Sequence, residues 1–255
     1  MIPTEQQTQV LANLGITTLN PMQEAALSAI LNDNDTFLIA PTGSGKTVAF
    51  LLPLLQLLHA DRTRPDHPAP ANRAVQCLIL APSRELAIQI EQVWKKMATG
   101  YKVNVCYGGH SVETEIKNLS NPPAVLIGTP GRIADHITRR SFALDGIRTL
   151  ILDEFDKSLQ LGFHDEMEFI IDGLRNLRKR VLVSATSGVS VPGFVRLQSP
   201  TTLTFVAPET EQTNLTVKVV YSAAKDKIDT LFDLLCSLNS EAALIFCNHR
   251  ETAER

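Results

Sequence analysis

Seven short apolar runs punctuate most of this chain: Thr36–Ala40, Val75–Ala81, Lys102–Cys106, Ala124–Gly128, Thr149–Asp153, Arg180–Ser184 and Thr201–Val206. Most are rich in Val, Ile and Leu, and their apolar character is continuous rather than alternating. Between most of them lie stretches with helical spacing. In Glu85–Met97, for instance, Leu86, Ile90, Val93 and Met97 fall on one side. Continuous apolar strands alternating with helices predict an α/β fold, a parallel sheet with helices on both faces. Asp61–Ala74 (DRTRPDHPAPANRA) reads as a Pro-rich surface loop.

The polar stretch 208–215 has no period and predicts a linker after a domain spanning 1–207. The pattern then restarts, with a strand at Thr216–Ser222, a helix at Lys225–Leu238, a strand at Ala243–Cys247 and the first turns of a helix at Arg250–Arg255. Residues 216–255 are too few to close a sheet and bury a core alone. They are expected to be the start of a second, incomplete domain. Their apolar positions include Val217, Val219, Ile228, Leu231, Leu235 and Ile245. Such a segment is expected to pack on the first domain or to self-associate with a second copy, since unpaired strand edges invite partners.

Composition changes this picture little. Hydrophobic residues make up 44% of the 255 and charged residues 20%, with a formal net charge of −3. A uniformly basic protein is excluded, although a local patch can still hold phosphates. The 4 cysteines form no C-x-x-C pair, so neither a disulfide framework nor a zinc site is indicated. No Lys or Arg precedes Lys46, and the most apolar stretch, Val48–Leu58, is too short to span a bilayer. No membrane association and a reducing, cytoplasmic setting are the expectations.

The strongest chemical signal follows the first predicted strand: Ala40-Pro41-Thr42-Gly43-Ser44-Gly45-Lys46-Thr47. Gly43 and Gly45 permit backbone angles that turn successive N–H groups toward phosphate oxygens. The helix expected from Lys46 adds its positive end. In such a loop Lys46 reaches the β- and γ-phosphates and the Thr47 hydroxyl is placed for Mg²⁺. A second signal is Leu150-Ile-Leu-Asp153-Glu154-Phe155-Asp156, an apolar strand ending in carboxylates. Asp153 suits Mg²⁺, and Glu154 can orient or deprotonate a water. An Asp-Glu pair alone usually marks only a helix start; beside a phosphate loop it carries more.

These two segments, together with Pro82-Ser-Arg-Glu-Leu-Ala87, Gly108-Gly109, Thr129-Pro-Gly-Arg132 and Ser184-Ala-Thr186, resemble in order and spacing the motifs of DEAD-box RNA helicases of superfamily 2. Gly15 and Gln23 resemble that family's adenine-reading motif. The resemblance covers nearly the whole chain. It implies two RecA-like domains that bind ATP and single-stranded RNA across the cleft between them. It further implies nucleotide contacts at Gln23 and at Thr42, Gly43, Ser44, Gly45, Lys46 and Thr47, and Mg²⁺ ligands at Thr47 and Asp153. Lys46, Asp153 and Glu154 would be catalytic, and Arg84, Gly109, Thr129, Gly131 and Arg132 would contact the RNA backbone. Asp156, Ser184 and Thr186 would couple hydrolysis to strand separation.

Plainer readings stand beside these. Gln23 could be a solvated residue at a helix start, Arg84 half of a surface ion pair, Thr129 a plain helix cap, and Ser184 and Thr186 caps of the following turn. The chain also departs from the family. Phe155 stands where Ala is usual, beside the Ser184–Thr186 segment. Met1–Asn13 lacks the aromatic residue often found upstream of the adenine-reading Gln, and the arginine-bearing motif of the second domain is absent. The expected function is an ATP-dependent RNA helicase core fragment, nearly inactive in this length. The alternative is a naturally short, non-catalytic, nucleotide-responsive RNA-binding module.

Overall fold

The computed structural model describes residues 4–32, 35–63, 74–188, 190–205, 216, 218–223, 226–238, 242–247 and 250–253, with side chains left aside at 4–5 and 59–63. It divides into two compact units, Met1–Pro208 and Glu209–Arg255. In the first, helices α1 (Thr4–Leu14) and α2 (Pro21–Leu31) precede a regular alternation. This runs β1 (Thr36–Ile39), α3 (Lys46–Thr63), β2 (Cys77–Leu80), α4 (Arg84–Met97), β3 (Val103–Cys106), α5 (Val112–Leu119), β4 (Val125–Gly128), α6 (Pro130–Thr138) and β5 (Thr149–Leu152). It continues with α7 (Phe155–Gln160), α8 (His164–Gly173), β6 (Lys179–Ser184) and β7 (Thr201–Thr204).

All seven strands predicted before residue 207 form, and they pair in parallel in the order β3-β4-β2-β5-β6-β1-β7. The continuous apolar runs follow from burial on both faces. Along β2, Cys77 and Ile79 join the core under α1–α4, while Leu78 and Leu80 join the core under α6–α8. Because every strand runs the same way, every strand-to-helix turn opens on one edge of the sheet, where such folds place their ligands. One boundary differs from the sequence reading. Helix α3 continues through Thr63, three residues into the segment expected to be loop, and residues 64–73 lie outside the described ones.

The second unit has helices α9 (Ile228–Ser237) and α10 (Arg250–Ala253). The strands expected at Thr216–Ser222 and Ala243–Cys247 do not form among the described residues, which have no regular structure there. A strand needs a neighbour to take its N–H and C=O groups, and an apolar segment without one is not held extended. No residue of α9 is buried, and Val219, Phe232, Ile245 and Phe246 are largely exposed. Val217 lies outside the described residues.

Candidate nucleotide and RNA sites

The phosphate loop leaves β1 and turns into α3 with Gly43 at φ +81° and Gly45 at φ +90°, backbone that side chains rarely adopt. Its carbonyls are held from behind by the start of α2. Asn20 Nδ2 donates to the Ser44 carbonyl at 3.1 Å, and Gln23 Nε2 donates to the Gly45 carbonyl at 3.3 Å. Asn20 and Gln23 in turn form a capping box, with the Gln23 N–H on Asn20 Oδ1 at 2.9 Å and the Asn20 N–H on Gln23 Oε1 at 3.1 Å. Gln23 is therefore buried rather than solvated, and it is a structural strut of the loop. Lys46 is buried, with Nζ donating to the carbonyls of Ala40 at 2.7 Å and Pro41 at 2.9 Å. Burial lowers its pKa, while the charges of Asp153, Glu154 and Asp156 pull the other way.

Asp153 follows β5, with β6 between it and the phosphate loop that follows β1. It is 3% exposed. Desolvation raises its pKa to about 7 despite the Glu154 N–H bonded to Oδ1 at 3.0 Å. A buried hard-oxygen donor whose ionised form awaits a countercharge, on the same edge as the Thr47 hydroxyl, is a donor set that fits Mg²⁺. Glu154 is held at φ +44° and accepts from Lys157 Nζ at 2.8 Å.

Phe155 is fully buried in the core under α7 and α8, and its ring does not part the neighbouring turns. Thr186 Oγ1 donates to Asp156 Oδ2 at 2.8 Å, joining the β5 turn to the β6 turn. Ser184 Oγ and Thr186 close a local turn of their own, with Ser184 Oγ donating to the Thr186 carbonyl at 3.0 Å. The segment thus both caps its own turn and bonds to the turn after β5. Asp156 Oδ1 is buried and has no hydrogen-bond partner among the described residues.

The remaining site residues gather on the other half of the same edge, after β2, β3 and β4. Arg84 begins α4, its guanidinium 5.9 Å from the centre of the Tyr107 ring. A Cβ on Gly109, at φ +85°, would lie 3.2 Å from Arg84 Nη1. Arg84 also pairs with Glu85 at 3.4 Å, as the plainer reading had it. Gly131 is exposed in the first turn of α6, and the Thr129 hydroxyl makes no capping bond there. Arg132 departs from the picture of a free cation. Its guanidinium turns inward, with Nε donating to the Tyr107 carbonyl at 3.0 Å and Nη2 to the His110 carbonyl at 2.7 Å.

Two buried residues of this half escaped the sequence reading. Glu115 lies beneath the loop after β3 and receives the Tyr107 N–H at 3.2 Å, and His136 Nε2 stands 2.7 Å from its other oxygen. Their signal was present. Glu115 sits with Val112, Ile116 and Leu119 on one helical stripe, and His136 sits with Ile133 and Ile137. A polar residue on an apolar stripe needs a partner.

Residues 20–192 match the profile of the DEAD/DEAH box helicase family. The chain belongs to that family. It is 37% identical over 181 residues to the ATP-dependent RNA helicase DeaD of Haemophilus influenzae, an alignment covering 70% of this chain and 28% of that protein. Two solved structures share the fold. A DEAD box protein from Methanococcus jannaschii has TM-score 0.67 and 28% identity, over 79% of this chain and 54% of that one. A hypothetical ATP-dependent RNA helicase from Sulfolobus tokodaii has TM-score 0.63 and 26% identity, over 76% of this chain and 53% of that one. This DEAD-box chain thus spans under a third of its curated relative and about half of each solved structure.

Proposed function

We propose that this chain is the nucleotide-binding, RNA-gripping part of an ATP-dependent RNA helicase. The observation that carries the reading is the single sheet edge on which the phosphate loop, the Asp153–Asp156 turn and the Arg84–Gly109–Arg132 group all stand. ATP phosphates would lie against the N–H groups of Thr42–Thr47, whose carbonyls Asn20 and Gln23 hold back. Lys46 would exchange its two carbonyl partners for phosphate oxygens, a stronger, charge-assisted contact. Thr47 and Asp153 would hold Mg²⁺, which would supply positive charge to offset that of the phosphates. Glu154 would orient the attacking water. The Thr186–Asp156 bond would tell the β6 turn which nucleotide is present. Gln23 would read adenine with the second amide hydrogen and the second oxygen lone pair that its bonds to Gly45 and Asn20 leave over.

RNA would be held through phosphate and ribose, with little sequence preference. Arg84, Gly109, Thr129 and Gly131 offer the direct contacts. The arginines that complete phosphoryl transfer would come from the part of the whole protein that this chain does not span, and they are worth roughly 10³–10⁵ in rate. This chain alone would therefore bind ATP and RNA yet turn over very slowly. Its place of work would be the cytoplasm; no helix among the described residues is long and apolar enough to cross a membrane. The exposed apolar residues of α9 and of 242–247 favour self-association of the isolated chain.

Calorimetric titration with Mg-ATP and anisotropy with single-stranded RNA test the reading. Wild type should bind both, Lys46→Ala should lose ATP, and Arg84→Ala should weaken RNA. Equal ATP affinity in Lys46→Ala and wild type would remove the loop from the mechanism.

A further inference from the structure

The loop after β3 and the start of α6 carry two of the RNA contacts proposed above, Gly109 and Gly131. They belong to different elements, and an RNA backbone can engage both only if their spacing is fixed. The structure fixes it through one buried carboxylate. Glu115 Oε1 accepts the Tyr107 N–H at 3.2 Å and so holds the start of the turn that contains Gly108 and Gly109, while Arg132 holds its far end through the His110 carbonyl. Glu115 Oε2 lies 3.4 Å from Arg132 Nε and 2.7 Å from His136 Nε2, so it holds two successive turns of α6. Arg132 closes the circuit by donating to the carbonyls of Tyr107 and His110.

These groups are out of water. The side chain of Glu115 is 3% exposed, that of His136 0% and that of Arg132 11%. A carboxylate accepts and does not donate, so His136 presents Nε2–H to it, and Ser141 Oγ sits 3.1 Å from Nδ1 to hold the ring. Cys106 Sγ lies close enough to complete a cluster with donor atoms within 4.8 Å of one another, a set that superficially suits a metal ion. Three observations favour the polar network instead. Arg132 already supplies positive charge to the same carboxylate. Each Glu115 oxygen already has partners. Burial pushes the Cys106 thiol up to about 12, so it stays protonated.

We propose that Glu115 is the positioning residue of the RNA face: it locks the Tyr107–His110 turn to Arg132 and the first turns of α6, and so sets the spacing of the backbone contacts at Gly109 and Gly131. This rests on the RNA reading above. It gives Arg132 a different part from the one its sequence position suggests, since Arg132 acts through the loop carbonyls that it grips. The nucleotide half of the edge is not involved.

The test uses the 255-residue chain, a fluorescent single-stranded oligouridylate and Mg-ATP. Glu115→Ala should weaken RNA binding about tenfold, the equivalent of one lost charge-assisted hydrogen bond, with ATP affinity unchanged. Glu115→Gln keeps an acceptor for Tyr107, and its NH2 can donate to His136 Nε2 once the ring proton moves to Nδ1, where Ser141 Oγ can accept it, so it should recover part of the loss. A purely architectural role would lower ATP and RNA affinity together and give no such rescue, which would overturn the proposal. RNA binding by Glu115→Ala within about twofold of wild type, where Arg84→Ala is clearly weakened, would also overturn it. If Arg84→Ala and wild type bind RNA equally, the RNA reading itself has failed.

A second measurement needs neither RNA nor a variant. In the wild-type chain the Arg132 Nε–H should exchange with solvent far more slowly than those of Arg84 and Arg139, whose side chains are about half exposed. Equal exchange rates would overturn the proposal even if Glu115→Ala does not fold.

Discussion

Adding a single methyl group to Gly45 tests the architecture of the nucleotide site. At Gly45 φ is +90°, and a Cβ would stand 2.6 Å from Gln23 Nε2. Gly45→Ala therefore meets two separate costs. Holding an L side chain in that backbone region costs about 1–3 kcal/mol. Displacing Gln23 forfeits its bond to the Gly45 carbonyl, a further 0.5–1.5 kcal/mol or so. If the loop must reach its wild-type shape to bind, the sum of about 1.5–4.5 kcal/mol appears as a roughly 10- to 2,000-fold weaker Kd for Mg-ADP by calorimetry. Gly43→Ala is the internal control. Its φ is +81°, but its Cβ would meet nothing within 4 Å, so only the backbone cost applies. The contact is isolated by repeating Gly45→Ala in a Gln23→Ala background, where its cost should shrink by about the worth of the lost bond, 0.5–1.5 kcal/mol. Equal costs in the two backgrounds, or Gly45→Ala binding as tightly as wild type, would refute the claim that α2 shapes the loop through Gln23.

Asp153, with its pKa raised to about 7 from 3.8, stabilises the fold most below pH 4 and loses that contribution as pH rises through 7. Nucleotide-free protein should therefore melt lower at pH 8 than at pH 5, and Asp153→Asn should flatten that part of the profile; an unchanged slope would mean that Asp153 is not the group responsible. Phe155→Ala should cost about 3–5 kcal/mol in denaturant unfolding, because a fully buried ring leaves a cavity that the rigid sheet cannot close; a loss under about 1 kcal/mol would show that the site collapses. Light scattering of the isolated chain should show mass rising with concentration, and a strict monomer at high concentration would dispose of self-association through the exposed second unit.

The five inner strands were legible because they are buried on both faces, and two-sided burial writes itself as an unbroken apolar run, while the edge strands β3 and β7 are only partly buried. The phosphate loop and the Asp153 turn were legible because their chemistry depends on neighbours in sequence. The tail misled for the opposite reason. Ala243–Cys247 is as apolar as any strand of the sheet, but strand character belongs to a pair, and sequence shows only one member. Gln23 was expected to face adenine, and nothing local revealed that its amide would brace a loop 22 residues away. Arg132 read as a phosphate ligand because its motif is contiguous, while the carboxylate that occupies it comes from another helix. Glu115 and His136 could have been found as polar breaks in apolar stripes, though not as partners of each other.

The seam between β2 and β5 has a consequence for how such a domain can change. The Asp153 N–H donates to the Leu80 carbonyl at 2.9 Å, so the last rung of the ladder joins the strand ending at the carboxylate proposed to hold Mg²⁺ to the strand leading to Arg84. Neighbouring strands lie about 4.8 Å apart and are too stiff to slide independently. A substitution that moves β5 to retune the nucleotide half also moves the root of a proposed RNA contact. The two halves are therefore poor candidates for exchange between relatives. A chimera cut between β2 and β5 would inherit two sets of loops and no common ruler, whereas grafts that keep this rung intact would keep both sites in register.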